Sequence, residues 1–513
     1  MAPDRLDMPA RPAIDDGLSP AVVPPAPARL AGDIRVRRPR VVVVGDALLD
    51  GWLSGAANRV GRDAPVPVVE IASAGTAPGG AANVAANLAA LGATVELVAV
   101  FGDDADGLAL RGALHEHGVR VQGCVIELGR CTPAKRRLVA AGQPVARYDT
   151  APQGALRRCT DLALADAVTQ ACASADAVLV ADYGLGVLGA RLRRRLVRLR
   201  SHIPLLVIDA HDLAPWAPLT PDAVTPSVAE AAALVGRPMP VVDRVSWGVG
   251  HHGELVCISG GADVLLTLDA DGALLLPAQG PPVRRGAARP IPESSACGAG
   301  DTFVAAWTAA TCTGAPPEQA LAFAQAAADV VVDRPGTVVC STAAVTARLA
   351  AADRGRVLDR RDLLAALGEH RRAGHRIVFT NGCFDVVHRG HVAYLRQARE
   401  LGDVLVVALN GDASVTRLKG PERPVNPLED RAGVVGAIDV VDLVTAFDED
   451  TPVDLLELVR PDIYAKGGDY TPQMLPETPV VERLGGQVRV LSYLSDHSTT
   501  AIVARIRRSA TPL

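Results

Sequence analysis

The chain has 513 residues, 49% hydrophobic, 21% charged and 3% aromatic, with formal net charge −5 and pI near 6.1. That length is more than one core can serve, so two or three domains are expected. The mild acidity gives no electrostatic ground for nucleic acid or an anionic membrane as partner, and no run of about 18 apolar residues is present to span a bilayer.

Residues 1–33, "MAPDRLDMPARPAIDDGLSPAVVPPAPARLAGD", lack the basic and then apolar regions of a secretory leader. They are rich in Pro and Ala, and residues 1–37 are expected to form a disordered tail. The nine cysteines (124, 131, 159, 172, 257, 297, 312, 340 and 383) are dispersed, with no C-x-x-C pair. An odd, scattered set reads as reduced thiols, and a cytoplasmic location is expected.

The first ordered element is "RVVVVGDALLDG", from Arg40 to Gly51. Its four valines followed by Gly-Asp read as a buried parallel strand ending in a loop. Strand-like runs ("VELVAVFGDD", "AVLVADYG", "LLVIDAHD", "VLLTLDADGALLL") then alternate with Ala/Leu-rich helical runs, which predicts an α/β sheet with helices on its faces. "RDAPVPVVE" and "AGQPVARYD" read as extra strands of a small lid. The first domain is assigned to residues 38–345 and a linker, Ala/Arg-rich and without strand signals, to 346–360. From 361 onward "RDLLAALGEHRRAG" predicts a helix closed by Gly374. A second α/β series follows ("RIVFTNG", "DVLVVALNGD", "VVDLVTAF", "DIYAKGGD", "QVRVLSYL"), about 150 residues and one compact domain, 361–513.

Three segments of the first domain carry chemistry. In "APGGAANVAANLAALGA", Gly79 and Gly80 allow close approach of a ligand to backbone, and Asn83 and Asn87 share one face of the helix that follows. An ordinary Ala-rich helix with a glycine start is the plain alternative. In "ESSACGAGDTFVAAW", Gly298, Ala299 and Gly300 precede a helical run whose first amides would face an anion. Asp301 is there placed to take a proton from an attacking hydroxyl, or simply to cap the helix. "TPSVAE" (Ser227, Glu230) and "TLDADG" (Thr267, Gly272) are loops after strands. Lys135 and Arg137 alternate onto one face of a strand in "CTPAKRRLV", suited either to grip a phosphate or to keep an edge soluble.

In this order and spacing the segments resemble the ribokinase-like sugar kinases, the phosphofructokinase B group. The resemblance implies that Asp301 is the catalytic base and that the amides of Gly298, Ala299 and Gly300 form an anion hole. It further implies that Asp50, Gly79, Gly80 and Asn83 contact the sugar, and that Ser227, Glu230, Thr267 and Gly272 shape the nucleotide site, Glu230 acting indirectly on Mg²⁺. This chain departs from the family pattern at Cys297 (Thr in the family), Ser227 (Asn) and Asp269 (Gly).

"FTNGCFDVVHRGH" opens the second domain with a strand, a tight turn at Asn381-Gly382, and a helix start carrying His388 and His391. With Cys383 they make only three candidate zinc ligands and no fourth lies near in sequence, so a phosphate site at a helix N-terminus is the better reading. The segment Thr380 to Arg431 resembles the H-x-G-H nucleotidyltransferase superfamily, a Rossmann-like fold. That resemblance implies that His388, His391 and Lys419 stabilise the transferring phosphorus. Asn381, Gly382, Phe384, Arg431, Lys466, Ser498, Thr499 and Thr500 would hold the nucleotide. The chain has only three lysines, Lys135, Lys419 and Lys466, and each falls at one of these phosphate positions.

A ribokinase-like α/β domain followed by a nucleotidyltransferase domain resembles the bifunctional enzymes of ADP-heptose synthesis. ATP with Mg²⁺ and heptose phosphates are the expected partners, with no zinc, haem or NAD, and a homodimer is expected. Two other readings stay open: the same fusion acting on another phosphorylated sugar or polyol, or with CTP; and a kinase half reduced to a ligand-sensing module beside an active nucleotidyltransferase.

Overall fold

The computed structural model describes residues 27–491 except 63, 153, 239–242, 286–296, 333, 335, 354–355 and 469–470. Ser498, Thr499 and Thr500, and residues 1–26 of the expected tail, lie outside the described residues. The chain divides after Arg348 into two compact units.

In the first unit, runs of apolar residues with no polar alternation form strands buried on both faces, as a helix-covered parallel sheet requires. Eight strands lie in the order Val283–Arg285, Ala273–Leu276, Asp263–Thr267, Ala223–Val224, Leu206–Ala210, Ala177–Asp182, Arg40–Gly45, Thr94–Val98. The last six are parallel to one another and the first two add an antiparallel hairpin. Val42, Val44, Val178, Val180 and Ile208 pack on one face with the wholly buried Trp216. The parallel strands Arg40–Gly45, Ala177–Asp182 and Leu206–Ala210 end side by side, so Asp46, Tyr183 and His211 follow them at one edge of the sheet, where open α/β folds bind ligands.

The lid is a four-stranded sheet in the order Pro67–Gly80, Ala47–Val60, Ala134–Ala140, Gln143–Thr150. Its long hairpin is buried where it leaves the main sheet and exposed at its tip. Both extra strands read from the sequence belong to it.

Two expectations fail here. Residues Pro27–Arg37 are a helix, not a disordered tail: Leu30, Ala31 and Ile34 recur at helical spacing and are buried against the helices Ala299–Thr311 and Pro317–Val332. The surrounding proline-rich composition masks this short amphipathic pattern. Ile34→Ala is expected to cost about 2–4 kcal/mol, read as a lower denaturant midpoint for the first unit. The linker assigned to 346–360 is also structured. The helix Thr342–Asp353 runs through its first half, and Val357–Leu358 pairs with Val444–Thr445 as the edge strand of the second sheet. Two residues carry too little pattern to be read as a strand from sequence.

The second sheet is wholly parallel, in the order Val357–Leu358, Leu443–Phe447, Val404–Asn410, Ile377–Gly382, Ile463–Gly467, Gln487–Leu491. Side chains alternate between two cores: Val378, Leu405 and Val407 on one face, Phe379, Val404 and Val406 on the other. The chain winds outward in both directions from Ile377–Gly382. Its switch point therefore lies between Ile377–Gly382 and Ile463–Gly467, beside their carboxyl ends.

Candidate active sites

In the first unit, Gly298 sits at φ +76° and turns the chain into the helix Ala299–Thr311, leaving the first amides of that helix unpaired within it. A Cβ on Gly298 would meet Asn83 Nδ2 at 2.8 Å, so the position needs glycine for both conformation and space. Asp301 follows in the first turn. Its Oδ2 accepts from Asn83 Nδ2 at 2.8 Å and its Oδ1 from the Tyr183 hydroxyl at 2.6 Å. Burial pushes its carboxyl up to about 6, against the lowering effect of those two donors. Asn87, one turn from Asn83, donates to Asn83 Oδ1 at 2.9 Å and so fixes the amide that holds Asp301.

Tyr183, Asp209, Ser227, Glu230, Thr267, Gly300 and Asp301 line one cleft. Ser227 caps the helix Val228–Val235 in a reciprocal box with Glu230, which accepts from both the amide and the hydroxyl of Ser227 at 2.8 Å. His211 Nδ1 lies 2.5 Å from Glu230 Oε1. Burial raises the Glu230 carboxyl, but hydrogen bonds from His211 and Ser227 outweigh it and hold the group below its ordinary range. Glu230 is thus an ionised carboxylate beside the cleft. The departure at Asp269 is accommodated: φ is +52°, a region Asp tolerates better than most residues, and Arg244 pairs with its carboxylate at 2.7 Å. Gly272 turns at φ +88° and its carbonyl accepts from the Leu268 amide. Cys297 is accommodated too, its Sγ 3.3 Å from Thr337 Oγ1.

On the sugar side, the base of the lid brings Asp50 opposite Lys135 and Trp52 opposite Arg137. Asp50 is buried and accepts from Thr337 at 2.8 Å and Arg137 Nη1 at 3.2 Å, while the Arg137 guanidinium lies over the Trp52 ring. Arg137 is therefore anchored by the residue expected beside it at the sugar. Lys135 lies close enough to Asp301 and His211 to act on both electrostatically. A Cβ on Gly79 would stand 2.8 Å from Asp50 Oδ2, and one on Gly80 (φ +56°) 2.7 Å from the Asp46 carbonyl.

In the second unit one cleft is lined by Asn381, Gly382, Cys383, Phe384, His391, Lys419 and Lys466. His388 caps the helix Arg389–Arg399, its Nδ1 accepting from the Gly390 amide at 3.2 Å. Its ring stacks on His391 at 3.9 Å, with Phe384 against the other histidine at 5.1 Å. Burial first, then His388 and Lys419, push His391 down to about 4, so it is a neutral imidazole near pH 7. Asn381 Oδ1 accepts from Lys466 Nζ at 2.9 Å and from Tyr464 at 2.8 Å. Burial lowers the Lys466 ammonium from its ordinary value. Phe384 adopts φ +44°, and a Cβ on Gly382 would meet its ring at 2.9 Å. No cluster of three or more metal-ligating side chains occurs among the described residues.

Arg431 corrects its expected role. Its side chain is 0% exposed, and it donates to the carbonyls of Asn426 and Cys383 and to Asp412. It holds the loop that lines the cleft and has no surface left for a nucleotide. Arg431→Ala is expected to destabilise the second unit by about 3–5 kcal/mol, measured by its thermal unfolding, because a buried charge network loses its centre.

Sequence reasoning missed Tyr183, Asp209 and His211. In sequence "ADYG" and "VIDAHD" show only as the ends of two buried strands; that those ends adjoin is a matter of sheet order.

Residues 38–344 match the pfkB carbohydrate kinase family and residues 379–505 the cytidylyltransferase-like family. Bifunctional protein HldE of Hahella chejuensis is 39% identical over 483 residues, covering 91% of this chain and 97% of that protein. HldE of Alcanivorax borkumensis is 38% identical over 474 residues, with 91% and 97% covered. Phosphofructokinase-2 of Escherichia coli, solved with substrates and products, aligns with 61% of this chain and 98% of its own at TM-score 0.50 and 20% identity, a likeness of fold. The chain is a bifunctional kinase and nucleotidyltransferase and belongs to the bifunctional HldE family.

Proposed function

We propose that the first unit phosphorylates D-glycero-D-manno-heptose 7-phosphate at O1, and that the second joins AMP from ATP to heptose 1-phosphate. The observation that carries the first half is Asp301, held by two donors at the amide end of a helix and facing a cleft with Glu230. The sugar O1 hydroxyl attacks the γ-phosphorus, its proton passes to Asp301, and ADP leaves with the γ-phosphoryl oxygens neutralised at the helix start. ATP enters as its magnesium complex. The ionised Glu230 carboxylate fits a hydrated cation and would act through water, the metal supplying charge neutralisation on the phosphates. Lys135 and Arg137 at the lid base suit a sugar that already carries a phosphate.

In the second unit a sugar 1-phosphate oxygen attacks the α-phosphorus of ATP in line and pyrophosphate leaves. His391, His388 and Lys419 donate to the phosphoryl oxygens, and Lys466, oriented by Asn381, holds the nucleotide. The first product carries a 7-phosphate that the second substrate lacks, so a separate phosphatase acts between them. The dispersed free cysteines fit a reducing cytoplasm.

Phosphorus NMR tests this with Mg-ATP or Mg-CTP and, in turn, heptose 7-phosphate, heptose 1-phosphate and a polyol phosphate. A 1,7-bisphosphate and ADP-heptose with pyrophosphate are expected. Turnover confined to CTP would overturn the choice of ATP, and turnover confined to the polyol phosphate would overturn the heptose assignment.

A further inference from the structure

Tyr183 stands between two buried carboxyl groups. Its hydroxyl oxygen lies 2.6 Å from Asp301 Oδ1 and 3.0 Å from Asp209 Oδ2. Burial and both aspartates hold the phenol well above its ordinary pKa, so it keeps its proton, and it has only one. That proton serves one contact. The other is a hydrogen bond only where the carboxyl itself carries a proton and donates to the phenolic oxygen.

The surroundings decide which carboxyl that is. Asp301 accepts from Asn83 as well as Tyr183 and has Lys135 near it, with Asp50 as the opposing charge. Among the described residues Asp209 has only the Thr225 hydroxyl, at 2.9 Å, on its other oxygen. The charges that face it include two carboxylates, Asp301 and Glu230. His211, two residues on, is committed to Glu230 at 2.5 Å and packs edge-on to the Tyr183 ring.

We propose that Asp209 holds a proton and donates it to Tyr183, which donates to an ionised Asp301, so that the three side chains form one directed chain. Asp209 and Tyr183 are positioning residues that fix the base through its Oδ1. This rests on the reading of Asp301 as the base and adds what sets its state. Burial, then the Asp301 charge, push Asp209 up to about 7. Between about 6, where Asp301 ionises, and that pH the chain is intact. Above it Asp209 ionises, two carboxylates compete for one O–H, and a second negative charge stands beside the phosphate cleft. The kinase then has an acid limb from Asp301 and an alkaline limb from Asp209, both belonging to the coupled pair.

Isotope-edited infrared spectra of the full chain, labelled at aspartate carboxyls, read the protons directly as a function of pH. Wild type is expected to lose protonated-carboxyl signal in two steps. Asp209→Asn, whose amide donates to Tyr183 at every pH, loses the upper step, and its kinase kcat/KM loses the alkaline limb. Tyr183→Phe lowers kcat by about tenfold or more with KM little changed. Thr225→Val, which removes a hydrogen bond favouring ionised Asp209, moves the upper step to higher pH and serves where the other variants fold poorly. An upper step that survives in Asp209→Asn, or stays in place in Thr225→Val, overturns the proposal. The infrared reading needs no sugar and no turnover. A wrong sugar would silence the pH profile and leave the proton count standing.

Discussion

Asp301→Asn is expected to lower kinase turnover roughly 100- to 10,000-fold, the range a positioned general base supplies, and to leave nucleotidyl transfer unchanged. Asparagine keeps the volume and can still meet Tyr183 and Asn83, so the helix start and its anion hole survive while the proton acceptor is lost. The acid limb follows from the same residue. With its carboxyl pushed up to about 6, Asp301 is a base only above that pH, and kcat/KM should fall about tenfold per unit below it. Initial rates of ADP release with the heptose 7-phosphate check both. A variant with more than a tenth of wild-type turnover would remove Asp301 from the role.

His391→Ala and Lys419→Ala are each expected to lower nucleotidyl transfer roughly 100- to 1,000-fold with the kinase unaffected, as when a donor to a charged transition state is removed. The two differ in kind. Lys419 supplies charge from the end of the helix Asp412–Lys419, whereas His391 is pushed down to about 4 and donates as a neutral imidazole. Raising the pH from 6 to 8 should therefore cost no activity through loss of charge on His391. His391→Asn, a neutral donor of shorter reach, should retain more activity than His391→Ala. Pyrophosphate release measured across that pH range separates this from a cationic histidine, whose loss of charge would produce a falling limb near its ordinary pKa.

The parts of the fold legible in the sequence were those with strong, long patterns. "RVVVV" and "DVLVVAL" have no alternative to a buried parallel strand, and Gly298 and Gly374, both at positive φ, punctuate helices where glycine alone is comfortable. The helix Pro27–Arg37 and the two-residue strand Val357–Leu358 were not legible. The first hides three buried apolar residues in proline-rich text, and the second exists only because a neighbouring strand pairs with it.

The sites divide the same way. Asp301, Asn83, His391 and Lys466 carry local motifs and the structure brings each into a cleft or against one. Tyr183 and Asp209 are far apart in sequence and meet Asp301 only through sheet order, which no local pattern records. Arg431 failed in the opposite direction. The resemblance marks it for the nucleotide, yet burial and three acceptors hold it inside the loop that shapes the cleft.

One chain carries two phosphoryl-transfer sites, each built from its own unit. The measurement that tests this most directly is a phosphorus NMR time course of wild type, Asp301→Asn and Lys419→Ala with Mg-ATP, given heptose 7-phosphate in one tube and heptose 1-phosphate in another. A double dissociation is expected: Asp301→Asn makes ADP-heptose and pyrophosphate but no 1,7-bisphosphate, and Lys419→Ala does the reverse. Loss of both products in either folded variant, or bisphosphate formed by Asp301→Asn at the wild-type rate, would contradict it.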